Sequence, residues 1–264
     1  LPRAPKYNAV AAPALAASPR NLFVGTSGWA YPSWKPGFYP EGVPSRAFLH
    51  VYGARLTAVE VNFTFRNQVT TEQLQGWLDA TPPGFRFAFK APQGVTHFKR
   101  LRDCHSPVAD FVDSLSPARA AGKLGPLLFQ LPPNFKINLT LLDDLLSAPS
   151  LRDPEIKVAL EFRHDSWFHE ETYAVLRAHN AALCIAESDD LVTPEVHTAD
   201  FSYYRLRCNG GYKPAKLKAF AEKFLPLAGM GEAFVFFKHE DEPTGALNAV
   251  SMLRSAAKSM RPGA

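Results

Sequence analysis

Two glutamates, Glu60 and Glu161, stand near the ends of short apolar runs, AVEVN over residues 58–62 and KVALE over 157–161. Carboxylates placed in this way are candidates for general acid and base work. Lys90 closes a third run (RFAFK, 86–90), Arg205 and Arg207 lie in a fourth (FSYYRLR, 201–207), and Lys238 ends a fifth (FVFFK, 234–238). Arg163 follows Glu161 by two residues. An arginine fork matches phosphate or carboxylate through two parallel bonds, and a lysine supplies a compact point charge. Five cations against two carboxylates leave a local surplus of three positive charges. A low-dielectric pocket does not hold such a surplus unpaired at low cost, so the set points to an anionic, phosphate-containing partner.

Asn62, Gln130, His97, His164 and Trp29 occupy neighbouring strand ends or the loops that follow them, and complete the candidate binding set. Two other uses of these residues stand beside this one. Glu161 can pair with Arg163 or Arg205 as plain structure. Alternatively Glu60, Glu161 and a histidine such as His97 or His164 can hold a divalent metal that activates water. No HExxH or similar local spacing supports the metal, the nearby cations oppose it, and none is assigned. Aromatics crowd the segment after the NLFVG run at 21–25 (Trp29, Tyr31, Trp34, Phe38, Tyr39), and Trp167 follows KVALE. They can stack on a sugar or base, or pack a long loop over the site.

These side chains need a frame. Eight β-rich runs recur along the chain: residues 21–25, 58–62, 86–90, 127–130, 157–161, 182–186, 201–207 and 234–238. Amphipathic stretches over 45–53, 70–80, 106–121, 139–148, 170–179, 214–227 and 246–260 fill most of the gaps. Alternating strands and helices predict a parallel sheet, and eight units over about 240 residues predict a closed α/β barrel of the TIM type. The sixth unit is short or irregular, because few residues separate the sixth and seventh runs and Pro194 sits among them. Strand alternation places Glu60, Asn62, Lys90, Glu161, Arg163, Tyr203, Arg205 and Arg207 on the inward face, and gathers them at the C-terminal ends where barrel enzymes build their sites.

Composition sets the outer bounds. The chain has 264 residues, 46% hydrophobic and 20% charged, with 3 Cys and a net charge of +4. That is too apolar for disorder and too poor in cysteine for a disulfide scaffold. Cys104, Cys184 and Cys208 therefore read as reduced thiols of a cytoplasmic protein. No apolar run approaches the roughly 18 residues of a membrane span. The positive charges are too dispersed to demand nucleic acid, which remains a candidate partner beside an anionic small molecule. No GxGxxG or GxxxxGK[ST] loop occurs, so the cofactor is left open. Residues 1–20, rich in Ala and Pro, are expected to be a flexible tail, with the barrel over 21–264.

Ordered short motifs carry a further signal. GTSGW at residues 25–29, Tyr31-Pro32, Trp34 and Phe38-Tyr39-Pro40 open the series. It continues with Val59-Glu60-Val61-Asn62, Thr64-Phe65, Thr96-His97, LGPLLFQLPP at 124–133, Glu161-Phe162-Arg163-His164, Tyr204-Arg205-Leu206 and Asn248-Ala249. The whole resembles the YecE-like family, the proteins grouped as domain of unknown function 72. The resemblance implies a TIM-like barrel and no settled activity. Departures fall at Arg66, at Arg207-Cys208-Asn209-Gly210 and at Lys238-His239, near the inferred mouth. Three functions follow as expectations. The first is an enzyme acting on a phosphate-containing substrate with Glu60 and Glu161 as acid/base pair. The second is a non-catalytic binding module for nucleic acid or a phosphorylated metabolite. The third is a metal-dependent isomerase or endonuclease, by analogy of fold alone.

Overall fold

The computed structural model describes residues 19–187, 192–238 and 242–260; the tail expected over 1–20 lies, but for its last two positions, outside them. Eight strands are formed: β1 Leu22–Thr26, β2 Ala58–Val61, β3 Arg86–Lys90, β4 Leu124–Gln130, β5 Val158–Glu161, β6 Ala182–Glu187, β7 Phe201–Leu206 and β8 Glu232–Phe237. All neighbours pair in parallel, in the order β1-β8-β7-β6-β5-β4-β3-β2. The sheet thus curls into a nearly closed barrel with β1 and β2 meeting at a seam.

The seam is bridged largely by side chains. The Thr57 amide donates to the Val24 carbonyl at 3.1 Å, and the Val24 amide donates to Thr57 Oγ1 at 2.8 Å. Farther along, the Tyr52 hydroxyl stands between the strands. It accepts from the Thr26 amide at 2.8 Å and donates to the Ala58 carbonyl at 3.0 Å. Gly25 lies against the same carbonyl, where a Cβ would stand 1.8 Å from the oxygen. No side chain fits there.

The helices are α1 Phe48–Gly53, α2 Thr71–Asp79, α3 His105–Ser114, α4 Ser116–Ala120, α5 Leu139–Leu146, α6 Glu170–Ala178, α7 Pro214–Met230 and α8 Thr244–Ser259. Thr70 caps α2 by accepting the Gln73 amide at 3.1 Å, and Asn138 caps α5 through the Leu141 amide at 3.0 Å. The single helix expected over 106–121 is two, broken at Leu115. Pro117 has no N–H to carry the ladder through, which accounts for the break. Among the described residues no helix joins β6 to β7, so the sixth unit is irregular as its shortness foretold. Thr198 pins that connection, accepting the Leu183 amide at 2.8 Å and donating to the Ala181 carbonyl at 2.6 Å.

Strand alternation separates two apolar layers. Val59, Val61, Phe87, Phe89, Val158, Leu160 and Phe162 pack outward with the helices. Ala58, Ala88, Ala159 and Ala182 face inward opposite the bulky Phe23, Phe201, Tyr203, Phe234 and Phe236. Small residues on β2, β3, β5 and β6 give the aromatic side chains of β1, β7 and β8 room to fill the interior. The loop aromatics belong mainly to packing: Trp34, Phe38 and Tyr39 are buried, and Tyr39 stacks on Phe48 at 4.1 Å.

Candidate functional site

Glu60, Glu161 and Arg205 end up next to one another because three strands deliver them at the same height. Glu60 sits opposite Ala88, Glu161 opposite Gln130, and Arg205 between Ala186 and Phe236. The Arg205 side chain reaches across the barrel interior from β7 to β2 and β5. Its Nη2 donates to Glu60 Oε1 at 2.8 Å, and its Nη1 donates to Glu161 Oε2. Tyr203, one inward step below, donates its hydroxyl to Glu60 Oε2 at 2.7 Å. Arg163 Nε donates to Glu161 Oε1 at 3.0 Å. All four carboxylate oxygens are therefore engaged, and the three central residues expose 0%, 2% and 3% of their surface. Arg205 Nε is buried without a hydrogen-bond partner among the described residues.

Burial alone would raise the Glu161 carboxyl, but Arg205 and then Arg163 overcome it and hold the group at about 2. Arg205 is pushed the other way: burial disfavours its charge, yet Glu161 and Glu60 restore it and carry its pKa well above the usual value. Burial and the Glu60 charge keep the proton on Tyr203, and burial keeps the thiol on Cys184. Two carboxylates and two guanidiniums cancel. The floor of the mouth is a closed, neutral network of charge-assisted bonds.

Lys90 and Lys238 rise from β3 and the end of β8 around this floor. Neither forms an ion pair with a described residue. Lys90 Nζ lies 3.9 Å from the centre of the Phe65 ring. Burial, followed by the Arg205 charge, lowers Lys90 to about 8 and depresses Lys238 as well. His97 contacts Thr96 Oγ1 through Nδ1 at 2.9 Å and meets the Phe65 ring edge-on at 5.0 Å. Burial first, then Lys90, Arg163 and Arg100, hold its imidazole below the ordinary value, so it is neutral at pH 7.

The remaining candidates divide. Gln130 is buried beside Glu161, and Asn62 reaches the Ser27 carbonyl at 3.4 Å. Asn62 Oδ1 and Ser27 Oγ are both buried without partners among the described residues. His164 uses Nδ1 to accept the Ser166 amide at 3.1 Å, which fixes its proton on Nε2 and makes it the cap of a short turn. Trp29 packs edge-on against Trp77 at 5.1 Å. Trp167 is a packing residue, stacked on Phe162 at 4.6 Å with its Nε1 on the Phe135 carbonyl at 2.7 Å. Arg207 is not brought in: β7 ends at Leu206, and the Arg207 side chain is exposed although its amide still bonds Glu187. Sequence reasoning did not name Ser27 and Phe65 as site residues, and it placed Tyr203 on the inward face without giving it a role. Tyr203 carried a signal, since it shares Arg205's inward parity.

Eight parallel strands ringed by helices, with polar side chains converging at their C-terminal ends, define a TIM-type barrel with its candidate site in the usual place. The chain belongs to the family described as protein of unknown function DUF72, whose model matches residues 23–263. It is 30% identical over 168 residues to the UPF0759 protein YunF of Bacillus subtilis, covering 60% of this chain and 57% of that one. The UPF0759 protein YecE of Escherichia coli K12 is 30% identical over 149 residues, covering 56% of this chain and 50% of that one. The matches thus take in about half the length of these curated relatives. Among solved structures, a DUF72 family protein from Thermotoga maritima superposes with a TM-score of 0.77 at 29% identity, covering 88% of this chain and 97% of that one. One from Enterococcus faecalis gives 0.69 at 17% identity, covering 88% and 96%. Among the described residues no helix is long and apolar enough to cross a membrane.

Proposed function

We propose that the barrel mouth binds an anionic, phosphate-bearing substrate and acts on it as an enzyme. The observation that carries this reading is the pair Lys90 and Lys238, half-buried cations without ion pairs to any described residue, above a floor whose carboxylates are already saturated. Two desolvated positive charges repel each other, and a bound dianion relieves both at once. Arg163, partly exposed, keeps donors beyond the one it gives Glu161, and neutral His97 stands beside it. Asn62 and Gln130 supply orientation, and Trp29 forms part of the wall.

Glu60 and Glu161 enter as field-setting groups. Held at about 2, Glu161 stays ionised at neutral pH, so it has no proton to donate and little basicity to take one, and acts through its charge. The metal-dependent reading is the weaker one, because every carboxylate oxygen already accepts from Arg205, Arg163 or Tyr203. The same saturation favours a second reading, a binding module for a phosphorylated metabolite or nucleic acid without turnover. Cys104 and Cys184, both buried and unpaired, support a reducing, cytoplasmic setting.

Calorimetry with inorganic phosphate and pyrophosphate tests the anion site. Binding should weaken about tenfold or more in Lys90→Met with Lys238→Met, and fall with added salt. Unchanged affinity in the double variant would falsify the reading. Turnover screening of phosphoester and sugar-phosphate pools then separates enzyme from binding module.

A further inference from the structure

We propose that Lys90 is a carbonyl-capturing amine, whose Nζ forms an imine with an aldehyde or ketone substrate while Lys238 and Arg163 hold that substrate's anionic group. The inference rests on the anion-binding reading and adds a reactive group to it. Its ground is the way this lysine is buried. Elsewhere the molecule buries a lysine by satisfying it: Lys123 donates to the Leu78 carbonyl at 2.6 Å, the Thr81 carbonyl at 2.7 Å and Thr81 Oγ1 at 3.1 Å. All three ammonium protons are used, which is how a structural lysine is accommodated. Lys90 Nζ donates no hydrogen bond to any described residue; the Phe65 ring lies under it, at 3.9 Å.

Carboxylates that could hold the ammonium stand in the same mouth but are spoken for. Arg205, Arg163 and Tyr203 occupy both oxygens of Glu60 and Glu161. The groups that act on Lys90 come from every side of the mouth: Glu60 on β2, Glu161 on β5, Arg205 on β7 and Lys238 beyond β8, with His97 on the turn after β3. Of these, Arg205 and Lys238 oppose protonation, and burial opposes it most, so that Lys90 titrates at about 8. A desolvated lysine beside another cation is the arrangement that makes an amine nucleophilic near neutral pH.

The step balances without an oxidant or reductant. The amine lone pair adds to the carbonyl carbon, the C–O π pair moves to oxygen, and a proton passes from nitrogen to that oxygen. The hydroxyl then leaves with a further proton as water while the C=N bond forms.

Reductive trapping tests this on the full chain. Pyridoxal 5′-phosphate is added, the adduct is fixed with borohydride, and the lysine peptides are quantified by mass spectrometry. The expected result is about tenfold more label at Lys90 than at any other lysine at pH 8, at least a tenfold fall in that label by pH 6, and protection by inorganic phosphate. Pyridoxal, which lacks the phosphate, should label Lys90 about tenfold less, and Lys238→Met should narrow that gap. Lys90→Arg keeps the charge and should lose the site's label. If inorganic phosphate binds the wild-type protein but Lys90 is labelled no faster than surface lysines, the amine role is wrong and the anion site stands. If pyridoxal and its phosphate label Lys90 equally and phosphate gives no protection, the anionic half of the proposal falls, and the reading beneath it with it.

Discussion

Arg205 is the side chain on which the mouth depends, because among the described residues it alone bridges both buried glutamates. Replacing it with Met leaves two desolvated carboxylates facing each other with one fewer cation. The expected loss is about 3–5 kcal/mol of folding stability, read from urea denaturation. A loss under about 1 kcal/mol would mean that water already reaches the network. Lys90 behaves oppositely. Its folded value of about 8 lies below the ordinary lysine value of 10.5, so the unfolded chain binds more protons between those limits. Lys90 therefore costs stability below pH 8, and that cost fades as pH rises towards 10.5. Lys90→Met should accordingly stabilise the fold at pH 7 by about 1–3 kcal/mol, with the gain shrinking at high pH while anion binding is lost. Equal effects at pH 7 and pH 10.5 would show that the charge is not what burial penalises.

Tyr52, delivered by α1, shows how an element outside the sheet completes it. Its hydroxyl serves one strand's N–H and the other strand's C=O at the seam. Tyr52→Phe strands both buried groups, which should cost about 2–4 kcal/mol and speed amide exchange at Thr26 well ahead of the interior strands. Exchange that quickens uniformly across the barrel would argue against a local seam. The elements were also where sequence reading worked best. Strong alternation in RFAFK and AVEVN marked both the strand and the inward parity of Lys90 and Glu60, because the side-chain period of a strand is two whatever lies around it. Reading failed where one residue changes the local rule. Pro117 splits α3 from α4, whereas Pro226 sits inside α7 without ending it. Nothing in local propensity separates the two outcomes, since packing against the barrel decides whether a helix tolerates the lost bond.

For the molecule as a whole, the buried network ties stability to acid. Glu161 has a folded value of about 2 against an ordinary 4.5, so its contribution is complete above the higher value and is lost as pH falls towards the lower. Urea midpoints should drop steeply from pH 4.5 to pH 2.5, and Glu161→Gln should flatten that limb while lowering stability at pH 7. Parallel limbs for the two proteins would remove Glu161 from the account. Two of the chain's 29 Lys and Arg residues, Lys90 and Lys238, crowd one half-buried rim. By itself the sequence determined the eightfold rhythm, the irregular sixth unit and the inward parity of the charged strand ends, because each follows from local periodicity and chain length. Only the tertiary structure decided which charges meet: that Arg205 takes both glutamates, that Arg207 stays outside and that the two lysines find no ion pair among the described residues. Those pairings join β2, β5 and β7 across the barrel. They depend on strand register around the barrel, which is not encoded in any one stretch of chain.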